Sequence, residues 1–100
     1  MSKVTLKIPP FFAYVMGPEH TDWFVQDRDI EEGFTVRALL TELALINPTF
    51  RTAVFDPDDG TVSESINIIL NQKLLNTPLE LAIKLNDKDT VVILPSLAGG

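Results

Sequence analysis

The chain carries one histidine, no cysteine and one short run of aspartates, and these few residues bound the chemistry its side chains could do. His20 sits in the loop Gly17-Pro18-Glu19-His20-Thr21-Asp22. A Ser-His-Asp arrangement would need it as the base, and nothing in the sequence puts a serine beside it. It reads as a solvated loop residue. A His/Cys metal site fails on ligand count. With no thiol there is no thiolate nucleophile and no CxxC redox pair. Asp56, Asp58 and Asp59 invite a calcium reading. An EF-hand loop wants oxygen ligands at positions 1, 3 and 5 with glycine at 6. Counted from Asp56, however, glycine comes one place early at Gly60, and Asn67 stands where the bidentate glutamate belongs. The cluster Asp56-Pro57-Asp58-Asp59-Gly60 is expected to be a surface turn. No GxxxxGK[ST] or GxGxxG run supports a nucleotide site.

What remains is the pair Gly99-Gly100. Glycines alone would pass for a frayed terminus, but here they follow an apolar strand and a proline. Without Cβ, such a segment can thread a channel no wider than a backbone and adopt any φ/ψ the channel demands. A carboxylate at neutral pH is a poor electrophile. Adenylation by a partner would convert it to a mixed anhydride with a good leaving group, and a sulfur donor could then form a thiocarboxylate, storing sulfur without a cysteine. The expected reactive position is Gly100, helped by Gly99. Leu97 and Ala98 are the expected partner contacts, because they lie outside any core strand. No residue within the domain is assigned a catalytic role, so the chain is expected to be a carrier and not an enzyme.

These residues need a scaffold, and its elements are legible from periodicity. Val4, Leu6 and Ile8 alternate with Thr5 and Lys7, the period-2 pattern of a half-buried strand. Pro9-Pro10 stops it, and residues 11–15 either extend it past a bulge or start a turn. A second strand over 23–26 could pair back as a hairpin. Thr35 is placed to cap a helix in which Val36, Leu39, Leu40, Leu43 and Ile46 form one apolar stripe. Pro48 ends it, with Asn47 the last residue. Residues 50–55 read as a connecting turn. Residues 66–70 form a strand, Asn71-Gln72 a turn, and 73–75 pair back. Thr77-Pro78 begins a short stretch with Leu79, Leu81 and Ile83 apolar. After the polar turn Asn86-Asp87-Lys88-Asp89 comes a strand over 91–94, read as central and buried on both faces, which Pro95 ends. One main helix against a mixed sheet is a two-layer α+β domain. If the first and last strands neighbour each other at the sheet centre it is a β-grasp, although element order alone admits other small α+β folds. The division expected is a domain over 1–95 and a flexible tail over 96–100. Phe11, Phe12 and Trp23 are expected in the core, and the lysines solvated.

One hundred residues, 45% of them hydrophobic, fit a single domain able to fold without metal or disulfide. Fourteen acidic against eight basic residues give a net charge of −6. The basic residues are scattered singly, which argues against nucleic-acid binding by counterion release. No apolar run is long enough to span a bilayer and no signal peptide is visible, so no membrane role and a cytoplasmic location are expected.

The run Leu85-Asn86-Asp87-Lys88-Asp89-Thr90-Val91, continued by Ile93-Leu94-Pro95 to Leu97-Ala98-Gly99-Gly100, resembles the LxDGDxV strand start, proline and closing Gly-Gly of the MoaD/ThiS family of ubiquitin-like sulfur carriers. Ile66-Asn67-Ile68-Ile69-Leu70-Asn71 is similar to that family's strand ending in an Asn turn, and Thr35-Val36-Arg37-Ala38-Leu39-Leu40 to its helix start. The resemblance covers nearly the whole chain. It implies a β-grasp fold and a sulfur carrier activated at Gly100 by an E1-like adenylating enzyme. That partner would bind ATP and magnesium; the chain itself would bind no cofactor or metal. A sulfur-accepting enzyme, such as one resembling the molybdopterin synthase large subunit, would consume the thiocarboxylate for molybdopterin (molybdenum cofactor), thiamine or cysteine synthesis. Conjugation to proteins through Gly100, as a ubiquitin-like modifier, and a plain interaction module are the alternatives. Two departures matter. Lys88 stands where the family usually has glycine, at a cost of about 1 kcal/mol if the position is left-handed. Residues 50–65 are longer than in the shortest members and resemble a long-form branch that includes carriers in cysteine synthesis.

Overall fold

The computed structural model describes residues 2–75 and 77–96. The alternation at the N-terminus produces strand β1 (Ser2–Ile8), with Val4, Leu6 and Ile8 buried. It pairs antiparallel along its whole length with β2 (Phe24–Ile30), from Ser2 opposite Ile30 to Ile8 opposite Phe24. The second strand therefore runs four residues beyond the 23–26 expected, through Asp27, Arg28 and Asp29. As an edge strand it buries only Ile30 fully, so its charged residues cost little and its pattern is faint in the sequence. Between the two strands a 3₁₀ turn (Ala13–Met16) buries Phe12, Ala13 and Val15. Of the two readings left open for 11–15, the turn is realised.

Helix α1 (Val36–Ile46) starts where expected. The Thr35 hydroxyl accepts from the Ala38 backbone N–H at 3.0 Å. Val36, Leu39, Leu40 and Leu43 are fully buried, each worth about 1.5–3 kcal/mol against water. Ile46, the last residue of α1, is not part of the stripe and is 66% exposed. The stripe is completed by Ala44, which is buried. Pro48 ends this helix but opens another, α2 (Pro48–Val54), in place of the connecting turn expected over 50–55. Asn47 is both the C-cap of α1 and the N-cap of α2, accepting from the Phe50 backbone N–H at 3.2 Å. Phe50 and Val54 drop into the core.

Strands β3 (Ile66–Leu70), β4 (Lys73–Leu75) and β5 (Thr90–Pro95) complete one five-stranded sheet in the order β2-β1-β5-β3-β4. β1 and β5 are parallel and central; the other pairings are antiparallel. This is the β-grasp. Before β5 a 3₁₀ turn (Glu80–Ala82) buries Leu81 and leaves Leu79 exposed.

The helices cover only one face of the sheet, which corrects two sequence expectations. In β5 only Val91 and Ile93 are buried, while Val92 and Leu94 are half-buried. The strand is central but not enclosed on both faces. Phe11 and Trp23, expected in the core, are 57% and 53% exposed, and only Phe12 is inside. The 3₁₀ turn gives Phe12 and Val15 the inward positions.

Candidate functional site

The expected reactive Gly100 and Gly99 and the expected docking residues Leu97 and Ala98 lie outside the described residues. The described part of the site is the strand from which they follow, and its chemistry is that of a clamp. β5 is held on one side by β1, with Leu6 opposite Val91, and on the other by β3, with Ile68 opposite Ile93 and Ile66 opposite Pro95. Proline donates no ladder hydrogen bond and is tolerated at this final position. Beyond it the Ser96 backbone N–H donates to the Ser65 carbonyl at 2.6 Å. The strand is thus paired up to the last described residue.

The opposite end of β5 is latched by side chains. The Asp89 carboxylate accepts from the Asn86 backbone N–H at 2.7 Å and from Asn71 Nδ2 at 2.7 Å. The Asn71 side-chain oxygen accepts in turn from the Thr90 backbone N–H at 2.8 Å. Asp89 is the one buried charged residue among the described residues. A buried carboxylate is tolerable when each oxygen has a donor, as both do here. The turn is also tied to β1. Asp87 accepts from the Lys3 backbone N–H at 2.8 Å, and the Lys88 N–H donates to the Lys3 carbonyl at 2.7 Å. Lys88 has φ +72°, the left-handed conformation in which glycine is the cheaper residue. Asn71 and Gln72 turn the β3–β4 hairpin at φ +48° and +77°. Asn71 suits this, and its side chain serves the latch as well.

The uncovered face of the sheet was not foreseen. Cross-strand register places Val25, Lys7, Val92, Ile69 and Leu74 in one row across all five strands. Four of the five are apolar, on a face the helices do not cover. The signal was available: residues 66–70 and 91–94 are almost continuously apolar, yet one helical layer can cover only alternate residues of each.

The other sequence candidates are spent locally. His20 Nε2 lies 3.3 Å from Glu19 Oε1, and its ring meets Phe24 edge-on at 4.9 Å. Asp56 accepts from the Asp58 N–H at 2.8 Å, and Asp59 from both the N–H and the hydroxyl of Thr61 at 3.0 and 2.7 Å. The Thr61 N–H, and after it the Thr61 hydroxyl, holds the Asp59 carboxyl below its ordinary range. Gly60 turns at φ +72°. The aspartate cluster is a turn that satisfies itself. Among the described residues no group of three or more His, Cys, Asp or Glu is placed to hold a metal ion. No helix of the described residues is long and apolar enough to cross a membrane.

The model of the ThiS family matches residues 20–100. No curated protein matches the chain. Solved structures share the fold. Small archaeal modifier protein 1 from Methanosarcina acetivorans is 25% identical with a TM-score of 0.74, covering 100% of this chain and 98% of that one. The protein of the same name from H. volcanii is 22% identical with a TM-score of 0.75, covering 97% and 100%. CysO from Mycobacterium tuberculosis is 24% identical with a TM-score of 0.67, covering 94% and 99%.

Proposed function

The chain belongs to the ThiS family, and from that membership we propose that it is a sulfur carrier whose working group is the carboxylate of Gly100. An E1-like enzyme supplies ATP and magnesium. The carboxylate attacks the α-phosphorus of ATP, pyrophosphate leaves, and an acyl adenylate forms. A sulfide equivalent from a donor attacks the acyl carbon; the carbon–sulfur bond forms, the bond to AMP breaks, and the thiocarboxylate remains. In an acceptor enzyme its sulfur passes to the substrate, and hydrolysis of the acyl group restores the carboxylate. The acceptor belongs to a biosynthesis of the molybdopterin, thiamine or cysteine type, and the cycle runs in the cytoplasm.

The carrying observation is that the family match extends through Gly99-Gly100. Two features support it. Three residues separate the pair from the end of a strand held between two neighbours and latched at its start. The chain also has no cysteine to store sulfur in any other way. A side-chain-free segment on a fixed root lets the domain act as the handle and the terminus as the cargo. A second reading is favoured by the 25% identity with a modifier protein over the full chain: the same adenylate would acylate a lysine amine of a target. The test is removal of Gly99-Gly100. The truncated chain should melt like the parent and deliver no sulfur in a reconstituted transfer reaction, whereas retained delivery would exclude the carrier reading. High-mass conjugates in cells that disappear with Gly100 would favour the modifier.

A further inference from the structure

A segment that leaves a domain frays unless something ties it down, and here a tie acts one residue past the last strand. β5 ends at Pro95, yet the Ser96 backbone N–H still donates to the Ser65 carbonyl at 2.6 Å. Ser96 is no part of the hydrophobic core, so core packing does not account for the bond. Ser65 is itself held. Its N–H donates to the Ser63 hydroxyl oxygen at 3.2 Å, and the two serine hydroxyls lie 2.8 Å apart. Ser63 is fixed at both its backbone groups: its N–H donates to the Val54 carbonyl at 2.7 Å, and its carbonyl accepts from the Ile66 N–H at 3.1 Å. Val54 is fully buried at the end of α2. The intervening loop is closed by the Asp56 N–H on the Thr61 carbonyl at 2.7 Å. Phe55 and Val62 bridge across it, and both pack against the core. A line of hydrogen bonds thus runs from α2 through Ser63 and Ser65 to Ser96.

We propose that Ser63 and Ser65 are positioning residues for the carrier reaction, holding the chain at Ser96 so that the activating enzyme meets the cargo segment at a fixed starting point. The proposal rests on the sulfur-carrier reading and adds to it the part of the domain that presents Gly100. From Ser96, the four residues 97–100 reach at most about 14 Å. The enzyme then has four residues to order, and its reacting phosphorus lies within that distance of the clamp. Without the clamp it must order Ser96 as well, and fixing one more backbone residue weakens binding by about tenfold. The reacting groups belong to Gly100, ATP and the enzyme, so the loss falls on binding and not on turnover. The long segment after α2 thereby acquires a use, because it carries the brace.

The test is S63A/S65A, which removes both hydroxyls and keeps every backbone donor and acceptor. Ser65 is exposed and Ser63 half-buried, so the variant should fold. Two quantities are read: hydrogen exchange of the Ser96 amide, and KM and kcat for the carrier in pyrophosphate release by its own activating enzyme. The amide should be protected in the parent and exchange at least tenfold faster in the variant. The KM should rise about tenfold with kcat unchanged. S63T/S65T keeps the hydroxyls and should recover both values. S65A alone should shift both in the same direction by a smaller factor, and it carries the same criteria if the double variant does not fold. A faster amide with an unchanged KM makes the brace merely structural and overturns the proposal, as does a Ser96 amide that exchanges freely in the parent. A parent that is never adenylated removes the carrier reading, and the proposal with it.

Discussion

Lys88 is the residue at which the sequence and the backbone disagree. Its position is left-handed, a conformation that costs a β-carbon about 1 kcal/mol. Lys88→Gly should therefore raise stability by up to about 1 kcal/mol, offset in part by the freer unfolded chain, and chemical denaturation will measure it. Asn71 is the converse case, a side chain that suits its turn and also closes the latch through Asp89 and Thr90. Asn71→Ala leaves an Asp89 oxygen and the Thr90 N–H without their partner, so a loss of about 1–3 kcal/mol is expected in the same assay. Asp59 sets a pH dependence. Its folded pKa is depressed by Thr61, so its contribution is present above the unfolded carboxylate value and is lost as pH falls through the lower folded value. Acid titration should show that component starting near pH ~4 and absent from Asp59→Asn.

At the scale of elements, the readable parts were those whose pattern coincides with burial. β1, α1, β3 and β4 followed from alternation, from a capping threonine and from an Asn turn, each a local signal that tertiary packing reinforced. The parts misread were those where the signal was weak or double. Asn47-Pro48 reads as a stop, yet asparagine at the N-cap and proline in the first turn also begin a helix, which is how α2 arises. β2 is an edge strand whose polar residues face water, so its length was hidden. The family resemblance, carried by residues 85–100 and two shorter runs, supplied what periodicity could not: which of several α+β topologies the elements adopt. For the asparagine the structure makes a specific prediction. Asn47→Ala removes the acceptor of the Phe50 N–H and should cost about 1 kcal/mol, seen as a lower denaturation midpoint with an unchanged slope.

At the scale of the whole molecule, the described residues are built around one strand. β5 runs between β1 and β3, with Val91 and Ile93 in the core; Leu94 and Pro95 pair along β3, and Ser96 beyond the strand bonds to Ser65. One face of the sheet is packed under the helices and the other is left with an apolar row. The account stands on the claim that Gly100 becomes the sulfur-bearing position, and the mass of its terminal fragment is the most direct measurement of it. After incubation with the E1-like enzyme, ATP and a sulfur donor, that fragment should be heavier by the difference between one sulfur and one oxygen atom. An unmodified terminal fragment, in a reaction where the same enzyme consumes ATP on adding the chain, would contradict it.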